Sequence, residues 1–162
     1  MNAAKVGCQL RSPAMLIASL ALLLAANSGP SSAGTLRVPS QYPAIQPALN
    51  AATPGDTILV APGTYSGPLN RGLDFMGKDL VLRSEAGAEL TIIDCDGVDR
   101  GFYFHSNETS AAVLDGFTVR EGNGTIPGNG GGVLIHYASP TIQNSRFIEN
   151  VDGGIHCAYS TS

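Results

Sequence analysis

The sequence predicts an all-β solenoid of stacked parallel strands, and two internal repeats carry this prediction. A strand led by glycine recurs as residues 101–105 (GFYFH), 132–136 (GVLIH) and 154–158 (GIHCA), at the spacing of solenoid coils. The first and third positions after each glycine are apolar, which is typical of a strand with one buried face. A second strand repeats one coil later, from 114–119 (LDGFTV) to 142–147 (IQNSRF). Both strands recur together, which indicates one coil per repeat and loops of variable length.

Shorter elements are predicted ahead of these repeats. Residues 35–38 form a short strand, and a helix follows over residues 44–52, because Ile45, Ala48, Leu49 and Ala52 share one helical face. Pro43 and Pro47 are compatible only with the start of that helix. Further strands are then predicted over residues 57–60, 80–82 and 91–93.

Residues 1–33 have the features of a secretory signal peptide. A basic start with Lys5 and Arg11 precedes an apolar core over residues 14–26, and the polar stretch that follows ends in small residues. We therefore expect cleavage before Gly34 and a secreted or cell-surface protein. The alternative is an uncleaved membrane anchor, but a spanning helix needs about 20 apolar residues. We expect no transmembrane segment after cleavage.

The composition of residues 34–162 limits the classes of partner. Two of the nine basic residues leave with the signal peptide, so seven Lys and Arg face 13 Asp and Glu, a net charge of −6. An acidic exported chain without a basic cluster argues against nucleic acid and anionic membranes as partners. The length allows one domain with a hydrophobic core.

The two cysteines that follow the signal peptide, Cys95 and Cys157, do not suggest a disulfide with each other. Export would permit one, but they belong to an early and a late coil. Strands about 4.8 Å apart place residues two coils away beyond the roughly 7 Å Cα limit for a bridge. Cys157 also falls on an inward position, third after Gly154. We interpret it as a small buried core residue, with a disulfide partner as the alternative.

The two ends of the solenoid are predicted to differ. An open coil exposes apolar core and unpaired backbone. We assign residues 34–56 to an N-terminal cap, whose helix can cover the first coil, and residues 57–162 to the coils. Ser162 follows Cys157 closely, before the second strand of that coil can form. We therefore expect the coils to be incomplete, with more chain, a partner or another copy covering this edge, and self-association through it.

Several segments resemble one group of secreted proteins. Residues 45–65 (IQPALNAATPGDTILVAPGTY) resemble the opening of bacterial right-handed parallel β-helix proteins, the pectin-lyase-like superfamily. Residues 114–119, 130–142 and 144–150 resemble their coil motifs, so the resemblance covers nearly the whole chain after the signal peptide. It implies a right-handed parallel β-helix with a short N-terminal capping helix. It leaves activity open, because the superfamily includes polysaccharide lyases, pectin esterases, glycosidases and adhesins.

The catalytic sets that this resemblance would imply are incomplete, so we predict no catalytic residue. Pectin methylesterases follow Gly-x-Tyr with x-Glu, whereas residues 63–65 are followed by Ser66 and Gly67. Their Asp pair and Arg are not matched, nor are the paired Asp and Gly-His-Gly of polygalacturonases. Pectate lyases bind calcium through clustered Asp, and the nearest candidate is the turn with Asp94, Asp96 and Asp99. These carboxylates could ligate calcium or could simply form a turn. No other cofactor is expected.

The outward face of the glycine-led strands is the candidate binding surface. By alternation Tyr103, His105, His136 and His156 point away from the core. His105 and His136 should stack about 5 Å apart on adjacent coils. No carboxylate of the matched coils falls on this stripe, so no acid–base pair is expected, and two histidines alone lack the ligands for a metal site. The alternative is a surface strip that loops partly cover.

These observations favour a secreted scaffold or a carbohydrate- or surface-binding module. In enzymes of the superfamily that the chain resembles, the sugar-binding groove runs over the outside of one parallel sheet. The resemblance therefore suggests a polysaccharide or a cell-surface glycan as partner. The alternative is the N-terminal part of a polysaccharide lyase, esterase or glycosidase whose catalytic coils lie beyond this chain.

Overall fold

The structure is a computed structural model that describes residues 32–124 and 130–159. Residues 1–31 of the predicted signal peptide and the last residues, 160–162, lie outside these ranges. The helix α1 spans Ile45–Ala51. The strands are β1 (Thr35–Val38), β2 (Thr57–Val60), β3 (Gly63–Tyr65), β4 (Leu73–Asp74), β5 (Val81–Ser84), β6 (Thr91–Asp94), β7 (Phe102–Phe104), β8 (Val113–Asp115), β9 (Thr118–Arg120), β10 (Val133–His136), β11 (Thr141–Gln143), β12 (Arg146–Ile148) and β13 (Ile155–Ala158).

The strands form three parallel sheets that the chain visits in rotation. Sheet A has the order β1-β2-β5-β8-β11, sheet B the order β12-β9-β6-β3, and sheet C the order β13-β10-β7-β4. Each strand pairs in register with the equivalent strand of the next coil, as Leu82 does with Leu114 and Leu114 with Ile142. The result is a β-solenoid of about three turns with one helix among the described residues, which confirms the predicted fold class. Its right hand stays a prediction.

The second repeated strand is two strands in the structure. Residues 114–119 divide between β8 in sheet A and β9 in sheet B because the chain bends at Gly116, where φ is 83°. The next coil bends at Asn144, with φ 52°, in the left-handed region that asparagine tolerates better than most residues. The side-chain amide of Asn144 donates to the Asp115 carboxylate at 2.8 Å, which ties one bend to the coil before it. The prediction of a single strand was therefore wrong.

The leading glycines of the sheet C strands leave room for side chains of sheet B. A Cβ built on Gly154 would lie 2.6 Å from the Cβ of Phe147, and one on Gly132 would lie 3.0 Å from the Phe147 ring. A Cβ on Gly101 would overlap a methyl group of Val119. Real Cβ atoms do not approach other atoms this closely. Glycine therefore recurs because the corner between sheets B and C has no space for a side chain.

The hydrophobic core is a ladder of inward side chains in register between coils. Phe102 pairs with Val133 and Phe104 with Ile135 across β7 and β10. The repeated strands predict ten inward core residues, and six of these are buried, namely Phe102, Phe104, Leu114, Val119, Val133 and Ile135. Ile142 and Phe147 are half-buried and pack against this core. The inward register of the glycine-led strands is confirmed for β7 and β10.

The predicted burial of Ile155 and Cys157 is wrong. Both lie in register with inward residues of β10, Val133 and Ile135, but both are exposed. The reason is that β13 ends the order of sheet C, with no described strand on its other side. Cys157 and Cys95 are both free thiols. Cys95 is buried in the core, and this burial raises its pKa to about 12.

The helix α1 packs against β1 and β4, the strands that end sheets A and C. It buries Ile45, Ala48 and Leu49, the face that the sequence pattern predicted. The Ile45 N–H donates to the side-chain oxygen of Asn70 at 3.0 Å. At the other end of the helix, the Lys78 ammonium donates to three backbone carbonyls at 2.7 to 3.1 Å. The burial of this ammonium lowers the pKa of Lys78.

Replacing Ile135 by alanine should lower the free energy of unfolding by about 2–5 kcal/mol, because it opens a cavity within the ladder. Urea unfolding followed by circular dichroism measures this loss. Ile148→Ala is the matched control, since this side chain is 46% exposed on β12 and its loss should cost less than about 0.5 kcal/mol. Equal losses in the two variants would contradict the register.

Asp56 should stabilise the fold only above the pH at which its carboxyl group is protonated. It accepts hydrogen bonds from the N–H groups of Thr53 and Gly34, at 2.8 and 2.7 Å, and from the Thr53 hydroxyl at 2.9 Å. These bonds lower the pKa of Asp56, so its contribution is complete above the usual carboxyl pKa and is lost as pH falls through the lowered one. Asp56→Asn should cost about 1–3 kcal/mol at pH 7 and less at pH 2.5. Urea unfolding at both pH values tests this, and an equal cost at both would contradict it.

Candidate functional site

The outer side of sheet C carries the four residues that the sequence analysis selected. Across four neighbouring strands, Asp74, Tyr103, Leu134 and His156 lie in register. His136 ends β10, and His105 directly follows β7. We call this surface the sheet C face, defined by Asp74, Tyr103, His105, Leu134, His136 and His156. Leu134 is buried, and a Cβ built on Gly130 would lie 2.7 Å from the Cβ of His156, so the loop before β10 partly covers this row.

A carboxylate lies on the sheet C face, in a coil that precedes those matched in the sequence analysis. Oδ2 of Asp74 lies 3.1 Å from Nε2 of His105. The His105 ring stacks on the Tyr103 ring with 4.0 Å between centroids, and the Arg100 guanidinium lies 5.1 Å from the centre of the same tyrosine ring. The side chains of His105 and Asp74 are 33% and 30% exposed, so a solute can reach both. Chemically this is an imidazole–carboxylate pair that can exchange a proton.

Helix α1 fixes the backbone of Asp74 through a single side chain. Nε2 of Gln46 donates to the Asp74 carbonyl at 3.1 Å, and Oε1 of Gln46 accepts the Asp74 N–H at 3.0 Å. The amide of Gln46 thus makes the two hydrogen bonds that a neighbouring strand would make along this edge of β4. The Asp74–His105 pair is therefore placed by the helix as well as by sheet C.

A second aromatic group lies where the chain leaves sheet C. The His136 ring lies 4.3 Å from the Tyr137 ring and 5.8 Å from the Tyr159 ring, and the two tyrosines stack at 5.4 Å with planes 14° apart. Tyr137 is 50% exposed and Tyr159 is 73% exposed. The expected stacking of His136 on His105 is not found among the described residues, because each imidazole packs on tyrosine. Two adjacent coils thus present aromatic rings to solvent.

A pocket of about 430 Å³ opens beside Tyr137. Its walls are residues 107–110, which follow β7, and residues 137–139, which follow β10. The buried carboxylate of Glu108 accepts the N–H groups of Gly77 and Ser106, each at 2.9 Å. Thr109 donates its N–H and hydroxyl to the Asp79 carboxylate at 2.9 and 2.7 Å. Two carboxylates therefore order one wall, whereas the opposite wall contributes an aromatic ring.

The three aspartates of the candidate calcium turn face other partners. Asp94 accepts from Arg120 at 2.6 Å, and Asp96 pairs with Arg71. Asp99 accepts the N–H of Arg100 at 2.7 Å. Within residues 32–124 and 130–159, no group of three or more His, Cys, Asp or Glu is placed to hold a metal. A calcium ion at this turn would have to displace two arginine ion pairs, and it stays a prediction.

The arginine pair also governs the titration of Asp94. Burial alone would raise the pKa of this carboxyl group. The hydrogen bonds from Arg120 and from the Asp96 N–H, together with the charge of Arg120, outweigh burial and hold the pKa of Asp94 below its usual range. The carboxylate is thus stabilised as an anion by an internal cation.

Sequence reasoning missed three residues of this region, although a signal for each was present. Residues 72–76 (GLDFM) stand one coil before 101–105 (GFYFH) and fit the glycine-led pattern, which would have put Asp74 on the stripe. Tyr137 and Tyr159 both occupy the fifth position after the leading glycine of their coils. Equivalent positions on adjacent coils are neighbours in a solenoid. Adding residues 72–76 to the aligned repeats would have found Asp74, and extending the alignment to the fifth position after glycine would have found both tyrosines.

Within residues 32–124 and 130–159, no helix combines the length and apolar character needed to cross a bilayer. The chain matches no protein-family model, and no curated protein and no solved structure is significantly similar to it.

Proposed function

We propose that this chain is a secreted β-solenoid module that binds a polysaccharide or a cell-surface glycan at the edge of the sheet C face. The observation that carries the proposal is the stacked, solvent-exposed pair of Tyr137 and Tyr159 beside an open pocket. Sugar rings have apolar C–H faces that pack on aromatic rings and hydroxyl groups that need hydrogen-bonding partners. An aromatic platform beside a polar pocket satisfies both needs.

The exposure of the tyrosines supports a binding role. Their rings stack on each other and meet the His136 ring edge-on, but they contribute little to the core, since the larger part of Tyr159 is in contact with solvent. Contiguous exposed aromatic surface on a folded domain marks an interaction site more often than isolated exposed residues do. Tyrosine is suited to this use because it supplies a large rigid contact area with few rotatable bonds.

The pocket supports a ligand of sugar size. Its volume of about 430 Å³ lies within the range of small-molecule sites, roughly 300–1,000 Å³. Tyr137 belongs both to the aromatic pair and to the pocket wall, so one bound chain can contact both. Asn107, Ser110 and Ser139 provide amide and hydroxyl groups on the walls.

Export and family are part of the same proposal. The apolar core over residues 14–26, the net charge of −6 after residue 33 and the parallel solenoid together suit an exported protein of the pectin-lyase-like superfamily. We expect such a module to present one sheet face to its ligand and to use the other sheets for stability.

A polysaccharide-acting enzyme is the second candidate function, and the Asp74–His105 pair is the observation that favours it. The two side chains are within hydrogen-bond distance and reachable by solvent. An imidazole held by a carboxylate is a common general base. Nδ1 of His105 also lies 3.5 Å from the Ser106 hydroxyl, at the limit of a hydrogen bond. None of these three side chains lines the pocket, so binding without turnover remains the main proposal.

Replacing Tyr137 by alanine should weaken glycan binding at least about tenfold, because it removes the ring shared by platform and pocket. Isothermal titration with oligosaccharides selected on a glycan array measures this. The matched control is Leu90→Ala, which removes a 59% exposed apolar side chain outside the pocket and should leave affinity unchanged. Equal affinity in the wild type and Tyr137→Ala would contradict the proposed site.

Pectin and polygalacturonate should give no products with this chain, because none of the catalytic sets that the superfamily resemblance would imply is complete in the sequence. Reducing-sugar release and absorbance of unsaturated products measure the two reaction types. Product release that His105→Ala and Asp74→Asn each abolish, with unchanged unfolding free energy, would establish the enzyme in place of the binding module.

The exposed end formed by β11, β12 and β13 should promote association. These strands end the three sheets, and Ile148 and Ile155 are 46% and 44% exposed there. Unpaired strand edges with apolar neighbours recruit further strands. A fragment of residues 34–162 should therefore form dimers or larger species in sedimentation velocity, and a monomer at high concentration would contradict this expectation.

A further inference from the structure

We propose that the glycan bound by Tyr137 and the adjacent pocket is free of acidic groups, so that neutral or amino sugars are accepted and uronates or sulfated sugars are rejected. This inference rests on the proposed function and names its ligand class. Three observations support this inference. The described Lys and Arg side chains already have internal partners, the charged groups at the pocket wall are carboxylates, and the described strands of sheet C carry no Lys or Arg.

Every Lys and Arg in residues 32–124 and 130–159 has an intramolecular partner. Lys78 donates to backbone carbonyls at the end of helix α1. Six ion pairs take up the arginines, namely Arg37 with Glu85, Arg71 with Asp96, Arg83 with Asp115, Arg100 with Asp99, Arg120 with Asp94 and Arg146 with Glu89. Acidic sugars are bound through charge-assisted hydrogen bonds, usually from arginine or lysine, so a uronate would have to compete with an internal carboxylate or carbonyl for the charge of each of these side chains.

The charges around the pocket are negative. Glu108 lines it, and the Asp79 carboxylate is bonded to Thr109 of the same wall. No Lys or Arg is among its described lining residues. A ligand carboxylate here would meet like charges at short range without a compensating cation, which is unfavourable at the effective dielectric of a protein surface. Hydroxyl and amino groups meet no such penalty.

The described strands of sheet C carry no Lys or Arg, whereas β1, β5, β9 and β12 of the other two sheets each carry an arginine. Arg71 and Arg100 each stand two residues before a strand of this sheet, β4 and β7. Arg71 is paired with Asp96, which leaves Arg100 to consider. Its Nη1 has no hydrogen-bond partner, but the residue is 7% exposed and its guanidinium is held over the Tyr103 ring. Arg100 is thus nearly buried, and it is not among the described residues that line the pocket.

The test compares oligosaccharides that share one backbone and differ in the charge of a single substituent, using the full chain from Gly34 at pH 8, above the ordinary titration range of histidine. One pair is tetragalacturonate and its methyl ester, and a second set is the glucosamine tetramer, its N-acetylated form and its N-sulfated form. We expect the uncharged or amino member of each set to bind at least about tenfold more tightly than the acidic member. Raising the salt concentration should narrow this difference, because it screens the repulsion.

Adding a positive charge to the pocket wall tests whether electrostatic repulsion causes the preference for sugars without acidic groups. Ser110→Lys adds a cation to the pocket lining and should raise the affinity for the acidic members about tenfold. Thr64→Lys makes the same change in net charge at an exposed position of β3 in sheet B and should leave the preference unaltered. Circular dichroism and urea unfolding confirm that both variants fold.

The outcomes separate the two proposals. Tighter binding of the acidic members by the wild type, or an unchanged preference in Ser110→Lys, overturns the inference about ligand class while glycan binding stands. Absence of binding to every member, together with no hit on a glycan array, overturns the proposed function and this inference with it. Tenfold preference for the neutral or amino member, removed by Ser110→Lys alone, supports both.

Discussion

The close approach of sheets B and C at one corner constrains the rest of the molecule. Where Phe147 packs beneath Gly132 and Gly154, a Cβ would collide with ring or backbone atoms. Because glycine has no Cβ, each strand of sheet C can start close to the core. The first and third residues after the glycine then point inward. That register in turn points Phe102, Val133 and their neighbours inward and leaves alternate residues for the outer face. The binding surface thus follows from a packing requirement at the corner.

The same constraint explains how far the sequence could be interpreted. Local sequence patterns depend on local packing. The leading glycines and alternating apolar residues therefore predicted the solenoid and most of its core, and the helical spacing of apolar residues predicted the helix near residues 44–52. The bend at Gly116 was not, because a single left-handed residue leaves the apolar pattern on either side of it unbroken. The exposure of Ile155 was predictable from the incomplete last coil that the sequence analysis expected, but the inward position was taken to mean burial, and the two coincide only where another coil covers the residue.

The candidate site was predictable only in its location. Alternation placed Tyr103 and the histidines on one face, whereas β4, at two residues, can be recognised only by aligning residues 72–76 with the later glycine-led strands. The aromatic group around His136 depends on two tyrosines just beyond the ends of β10 and β13, where strand periodicity no longer applies. The engagement of every described cation by an internal partner is a three-dimensional property. Several of those pairs join residues of different coils, such as Arg83 with Asp115 and Arg120 with Asp94.

The link between Gln46 and β4 makes one backbone amide an indicator of the state of the cap. The Asp74 N–H donates to the side-chain oxygen of Gln46, a residue far away in sequence, whereas most strand amides donate to a backbone carbonyl. When helix α1 separates from the coils, this proton loses its acceptor at once. Its rate of exchange with deuterated solvent therefore reports how often the helix detaches, independently of global unfolding. Strands β7 and β10 each lie between two neighbouring strands, so their amide protons donate to backbone carbonyls. The exchange rates of these amides, measured in the same spectrum, serve as the reference.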